Sequence, residues 1–316
     1  SFSNPEVIEN TMDYMNKSDM FSNEFLHDLK DFNLDVLRVT GAMPVISGYL
    51  NPVTNGTAIQ RANTYTYKTP DYMLASAQAY HPGSFGDQQH LWNATLSHEV
   101  SIFVTHPAAS LSAEGALSLS PGYWVGGGRF PHVAQARNVV LNLFDIPDEK
   151  GFMEKSIQDF THAHFPQDRF DEVILDGRYA FGRVGTTYAA LIAHNPLHYT
   201  EGMNDDLIQP GKQSFWVFEA GSENSDGSFD RFRQRILSNP VSFEEGHLVY
   251  ETGDHSLELQ YQGNFSVDGQ IQDLEYPRFD APYVTAPRKP DVLRFEHDGH
   301  TLLLDFYGHR REVDGT

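Results

Sequence analysis

The hydrophobic pattern of this chain changes character after about residue 40. Residues 5–35 carry apolar side chains at three- and four-residue steps, which is the spacing of one face of a helix. Beyond Gly41, apolar residues come in short β-prone runs that Pro, Gly and Asn separate. The pattern therefore predicts a helical segment over residues 1–40, as the end of a larger helical domain, and a β-sandwich domain over residues 41–316.

Strand signals recur at close spacing in this second part of the chain. The apolar run Asn138–Phe144 predicts a buried strand. Asp298–Gly299 lies between two alternating runs and predicts a hairpin. Ser228 is predicted to cap a short helix over Phe229–Ser238. Many short strands favour a mainly β fold, an antiparallel, supersandwich-like β-sandwich with a short N-terminal helical segment.

Charge and composition narrow the function classes. The chain has a formal net charge of -21, which disfavours nucleic acid because an acidic surface repels phosphate backbones. No apolar run of about 18 residues occurs, so no membrane span is predicted. There is no cysteine, which excludes disulfides and thiolate metal sites. A secreted or periplasmic bacterial protein is favoured, and a cytoplasmic one stays an alternative.

Nine of the 15 histidines lie between His81 and His198, and imidazole suits proton transfer near neutral pH. The segment before Trp92 contributes Gln88, Gln89 and His90. We predict that Trp92 stacks on a sugar ring, that the two amides bind its hydroxyls, and that His90 binds substrate or acts in catalysis. The alternative is a core tryptophan and a structural histidine.

A second segment, residues 122–129, places three glycines between Trp124 and Arg129. Glycine lets the backbone approach a ligand closely, and Arg129 would pair with a uronate carboxylate. His106 ends a predicted strand and would face the same cleft. We predict that Trp124, Arg129 and His106 bind substrate, with an exposed turn and a structural histidine as the alternatives.

Two further patterns suggest chemistry. His162 and His164 form a His-x-His pair, which on a strand points both rings to one face, as catalysis or a divalent metal ion requires. Arg178 and Tyr188 lie on consecutive predicted strands. With a histidine they are the residue types that uronate β-elimination uses, because arginine neutralises the carboxylate and tyrosine protonates the leaving oxygen.

The run of elements, helices and then a large β-domain, resembles the C-terminal β-sandwich region of toroid-plus-sandwich polysaccharide lyases of the heparinase II/III or alginate lyase type. The strings YKTPDYMLASAQAY, GDQQHLWNATL and THAHFPQDRFDEV look like segments of large uncharacterised bacterial proteins of that architecture. The resemblance implies an upstream helical domain that holds most catalytic residues. The His-Gly-His-Leu-Asp type of segment that such β-domains often carry is missing here.

Three hypotheses follow. The first is a polysaccharide lyase or glycoside hydrolase, acting on a uronate-containing polymer and requiring no cofactor. The second is a non-catalytic carbohydrate-binding or structural β-sandwich. The third is a metal-dependent enzyme that uses His162 and His164 as ligands.

Overall fold

Antiparallel strands make up most of the described part of the chain. The computed structural model describes residues 62–84, 90–108, 128–150, 157–288, 290–305 and 308–316, which all lie in one unit, Ala62–Thr316. Their strands form five sheets, and short helices are few. This confirms the predicted mainly β, sandwich-like fold. The predicted helical segment, residues 1–40, lies outside the described residues.

The first sheet has seven strands, and we number all strands in chain order. Two strands at its centre, the fourth and fifth in space, are joined by a connection that contributes two strands to another sheet. In spatial order the strands are β1 (Asn63–Lys68), β2 (Met73–Gln78), β3 (Trp92–Thr95), β4 (Ser101–Thr105), β7 (Phe160–His164), β12 (Asp206–Pro210) and β11 (His198–Tyr199).

The middle sheet has six strands, and both of its faces are covered. Its central strands read as nearly unbroken apolar runs, because a strand buried on both faces has no solvent-facing positions. The buried strand predicted at Asn138–Phe144 is thereby confirmed. In spatial order the strands are β5 (His132–Ala136), β6 (Val139–Asp145), β13 (Gln213–Ser222), β10 (Thr187–Ala193), β9 (Tyr179–Val184) and β8 (Glu172–Asp176).

A five-stranded sheet and the second of two helices cover the far face of the middle sheet. The helices are α1 (Glu223–Asp226) and α2 (Phe229–Ser238), and the Ser228 hydroxyl accepts the Arg231 N–H as the predicted cap of α2. The strands of this third sheet are β14 (Val241–Glu244), β15 (His247–Glu251), β16 (Ser256–Gln260), β17 (Phe265–Val267) and β18 (Gln270–Ile271).

Two small sheets complete the described residues. Asp298 and Gly299 both have positive φ, 49° and 82°, and join two strands as the predicted hairpin. None of the helices in the described ranges has the length and apolarity needed to cross a bilayer. The strands of the small sheets are β19 (Phe279–Ala281), β20 (Val284–Ala286), β21 (Val292–His297), β22 (His300–Asp305) and β23 (Arg310–Val313).

Two hydrophobic cores hold the layers together. The first lies between the first and middle sheets, and the second lies between the middle sheet, α2 and the third sheet. A polar contact crosses the first core, because the Trp216 Nε1–H donates to Thr161 Oγ1 at 2.7 Å. One face of the first sheet packs on the first core. The opposite face, which is turned away from this core, carries His162 and His164.

Candidate functional site

The side chains of the first sheet alternate between its two faces. On β4 and β7, Ile102, Val104 and Ala163 belong to the first core. The residues between them point the other way because successive side chains of a strand alternate. His162 and His164 of β7 therefore share the face turned away from the core, as the His-x-His spacing predicts.

His162 forms a buried pair with Asp206 of β12. Nδ1 of His162 lies 2.8 Å from Oδ1 of Asp206, and both side chains are 0% exposed. The Thr200 hydroxyl donates to the other carboxylate oxygen at 2.5 Å. Because a carboxylate accepts hydrogen, Nδ1 carries the ring proton and Nε2 is the basic nitrogen. Burial lowers the pKa of His162 despite the opposing effect of Asp206, so the imidazole is neutral at pH 7.

His164 is held in the same tautomer. Its Nδ1–H donates to the Ser101 carbonyl oxygen at 2.7 Å, which leaves Nε2 as its basic atom. Burial is the main cause of its lowered pKa. A backbone carbonyl and a carboxylate thus orient two neighbouring imidazoles, which is how proteins fix histidines that transfer protons or bind metal.

Phe103 of β4 brings His90 into the same cluster. The rings of His90 and Phe103 stack with centroids 3.7 Å apart, and Phe103 also stacks on His164 at 5.1 Å. His90 is solvent-exposed as a residue. Partial desolvation of its ring, followed by the nearby His162 and His164, lowers the pKa of His90 to about 4. We define His90, His162, His164 and Asp206 as the histidine cluster.

His106 lies near this cluster but bridges two backbone segments. Its Nε2–H donates to the Gln158 carbonyl oxygen at 2.9 Å, and its Nδ1 accepts the Arg129 N–H at 2.9 Å. The ring is fully buried, and burial lowers its pKa to about 4. A ring with both nitrogens engaged by the backbone is a structural histidine, so the prediction that His106 binds substrate is replaced by the alternative.

Gly128 and Arg129, the described end of the glycine-rich segment, also pack against protein. A Cβ on Gly128 would overlap Nδ1 of His106 and would lie 2.9 Å from the Pro107 carbonyl oxygen. The Arg129 guanidinium donates to the Gly83 and Glu149 carbonyl oxygens at 3.4 and 2.8 Å. Gly128 is therefore needed for close packing around His106, and Arg129 joins separate loops instead of presenting a carboxylate-binding fork.

Trp92 does not offer a sugar-stacking surface. Its side chain is 1% exposed, and it packs at 5.1 Å from Phe218 in the first core. It lies on the core face of the first sheet, because Ala94, two residues further along β3, is on the same face and also belongs to the first core. The alternative of a core tryptophan replaces the prediction.

Tyr188 and Arg178 lie in another layer of the molecule. Tyr188 is 4% exposed and belongs to the second core, where its ring contacts Phe229 and Phe232 of α2. The Arg178 guanidinium lies over the Tyr179 ring, 5.4 Å from its centroid. The middle sheet therefore separates both residues from the histidine cluster, and the combination of tyrosine, arginine and histidine is not assembled there.

Three predicted residues, Gln88, Gln89 and Trp124, lie outside the described residues. Among the residues that are described, no group of three His, Cys, Asp or Glu side chains is placed to hold a metal ion. The divalent metal at His162 and His164 stays a prediction.

Asp206 is the functional candidate that sequence reasoning missed. It lies 44 residues after His162 in the chain, and only strand pairing brings the two together. No local motif marks it, since Asp205 and Asp206 read as a polar turn before a short strand.

The chain matches no family model, and a search of curated proteins finds no similar sequence.

Proposed function

We propose that this chain is the β-sandwich part of a carbohydrate-active enzyme that cleaves a uronate-containing polysaccharide by β-elimination. The observation that carries the proposal is the histidine cluster, in which two imidazoles are fixed with Nδ1 protonated and Nε2 basic. A neutral imidazole is the base that the reaction needs, because the proton on C5 of a uronate must be removed.

His164 and His90 are the members that meet substrate in this proposal. His164 is 8% exposed and His90 is exposed, whereas His162 is fully buried. Nε2 of His164 takes the C5 proton, a C4–C5 double bond forms, and the C4–O bond breaks. The leaving oxygen then receives the proton back from the imidazolium. The His162–Asp206 pair acts as a positioning element.

Elimination fits the described residues better than hydrolysis. Glycoside hydrolysis uses two carboxyl groups on opposite sides of the scissile bond. The carboxylate of the histidine cluster is Asp206, and it is committed to His162 and Thr200. The groups left for catalysis on this face of the first sheet are therefore histidines.

The test is incubation of the full chain with alginate, pectate, heparin and hyaluronan while the ultraviolet absorbance of the unsaturated product is followed. We expect one polymer to react, and His164→Ala to lower kcat by roughly 10²- to 10⁴-fold, the usual effect of losing a general base. His247→Ala is the matched control, because His247 lies on β15 in the third sheet. Formation of unsaturated product from none of the polymers would rule the proposal out.

Asp206→Asn tests the positioning role. The amide oxygen can still accept the His162 Nδ1–H, but the negative charge is lost. We expect kcat to fall with KM nearly unchanged, and the pH profile of kcat to move. An Asp206→Asn variant with unchanged kcat and pH profile would show that the pair is only structural.

A metal-dependent activity is the second candidate. The observation in its favour is that His162 donates to a carboxylate and His164 to a carbonyl, which is the arrangement found behind metal-binding histidines. Elemental analysis of the purified chain checks it. A stoichiometric divalent ion that the double variant His162→Ala, His164→Ala loses supports it, and the lack of any bound ion refutes it.

A further inference from the structure

A groove of about 870 Å³ opens at the other end of the first sheet. It lies between edge strand β1, the β5–β6 hairpin and the third sheet, where residues 252–257 and 265–276 contribute to its lining. Its volume is in the range of sites that hold small organic ligands. β1 is three strand spacings from β4, which is about 14 Å across the sheet, so the groove is separate from the histidine cluster.

Tyrosine rings line one side of this groove. Tyr65 is 37% exposed and Tyr276 is 40% exposed, and both belong to the lining. The Tyr276 hydroxyl donates to the Thr64 carbonyl oxygen at 3.2 Å, which ties its ring to β1. Tyr67 lies beside them with Arg137 over its ring, 5.5 Å from the centroid. The exposed rings of Tyr65 and Tyr276 present flat apolar faces with polar rims, which suit the C–H face of a sugar.

Amide side chains supply hydrogen-bonding groups to the same groove. Gln78 and Gln135 are buried at its base, where the Gln135 backbone N–H donates to Gln78 Oε1 at 2.8 Å and the Gln135 amide donates to backbone carbonyls, so these two side chains shape the groove and are committed to protein partners. Gln270 and Gln272 are exposed on its third-sheet side. An amide both donates and accepts hydrogen bonds, as a sugar hydroxyl does. Exposed amides are therefore suitable partners for sugar hydroxyls.

The negative charge of the groove lining favours neutral sugars over uronates. Five carboxylates line the groove against two arginines, and Arg235 is already committed to Glu219 and Asp226. A uronate would meet a local excess of negative charge, which costs free energy in a partly enclosed site. A neutral sugar avoids this cost.

We propose that this groove binds a neutral oligosaccharide by tyrosine stacking and amide hydrogen bonds. The site is independent of the elimination chemistry proposed for the histidine cluster. It gives the chain a means of holding a neutral stretch of polymer.

The experiment is isothermal titration of the full chain with neutral tetrasaccharides of glucose, xylose, mannose and galactose, and with tetragalacturonate. We expect a neutral ligand to bind and the uronate not to bind. Tyr65→Ala and Tyr276→Ala should each weaken binding by about tenfold, the effect of losing one stacking ring. Tyr283→Ala is the matched control, because Tyr283 is 49% exposed but does not line the groove.

Gln272→Ala provides a second variant, since Gln272 is exposed and its loss leaves the cores intact. It should also weaken binding, whereas circular dichroism and thermal unfolding should match the parent chain. The proposal is overturned if no neutral ligand binds, if tetragalacturonate binds more tightly, or if all three groove variants bind as the Tyr283→Ala control does. Loss of elimination activity is a separate readout and does not bear on this result.

Discussion

Acidification should destabilise this fold through His106. The folded state holds the ring neutral, because Nδ1 accepts the Arg129 N–H and burial disfavours charge. Protonation would place an N–H against another N–H and would bury an imidazolium. The unfolded chain, whose histidines titrate near 6.5, therefore takes up the proton before the folded chain does.

The sign and size of the effect follow from the pKa. Because the pKa of His106 is lowered in the folded state to about 4, its full contribution to stability is present above about pH 6.5. That contribution is lost as the pH falls from about 6.5 to about 4. A pKa lowered from 6.5 to about 4 corresponds to a loss of unfolding free energy on the order of 3 kcal/mol, because each unit of pKa shift corresponds to about 1.4 kcal/mol.

The assay is urea unfolding at several pH values between 7 and 4, with the parent chain and His106→Asn compared. The asparagine oxygen can still accept the Arg129 N–H, but the group no longer titrates. We expect His106→Asn to be less stable than the parent chain at pH 7 and to lose less stability on acidification. His132, which is 2% exposed and also has a pKa lowered to about 4 by burial, remains in both chains as an internal reference. Equal pH dependence in the two chains would refute the reasoning.

Three further substitutions test packing and charge by urea unfolding at pH 7. Gly128→Ala should cost about 1–3 kcal/mol because its Cβ would overlap the His106 ring, and unchanged stability would contradict that contact. Tyr250→Phe should cost about 1–3 kcal/mol because it removes the hydroxyl that donates to buried Glu219 at 2.6 Å, and a neutral result would mean that this bond is not made. Arg235→Met should cost about 3–5 kcal/mol because it leaves Glu219, 2% exposed, without its cationic partner, and a stability gain would show that the pair is replaceable.

The local sequence pattern was sufficient to predict the strands and the faces on which neighbouring side chains lie. The buried strand at Asn138–Phe144 and the shared face of His162 and His164 both follow from the period of two along a strand. Tyr188 had an available signal, because it lies within an apolar run, Thr187–Ala193, in which every position is buried. An aromatic residue in such a run belongs to a core.

The rest of the site could not be predicted from the sequence, because it depends on pairing between strands that are far apart along the chain. Trp92 shares one face of β3 with Ala94, but only the partner sheet decides whether that face meets solvent or a core. Asp206 is joined to His162 by the pairing of β7 with β12, which no local motif encodes. The residues of the histidine cluster come from separate parts of the chain. The number of histidines could therefore indicate histidine chemistry, but it could not identify Asp206 as the carboxylate that pairs with His162.

The order of strands in the first sheet has a consequence for assembly. β4 and β7 are neighbours in space, yet the β5–β6 hairpin of the middle sheet lies between them along the chain. A hairpin closes a short loop and forms readily, whereas β4 and β7 must close a long one. Because both partners of β7, β4 and β12, are distant along the chain, we expect pulse-labelling hydrogen exchange during refolding to protect β5 and β6 before β7. The imidazoles would then come together only after the scaffold beside them has formed.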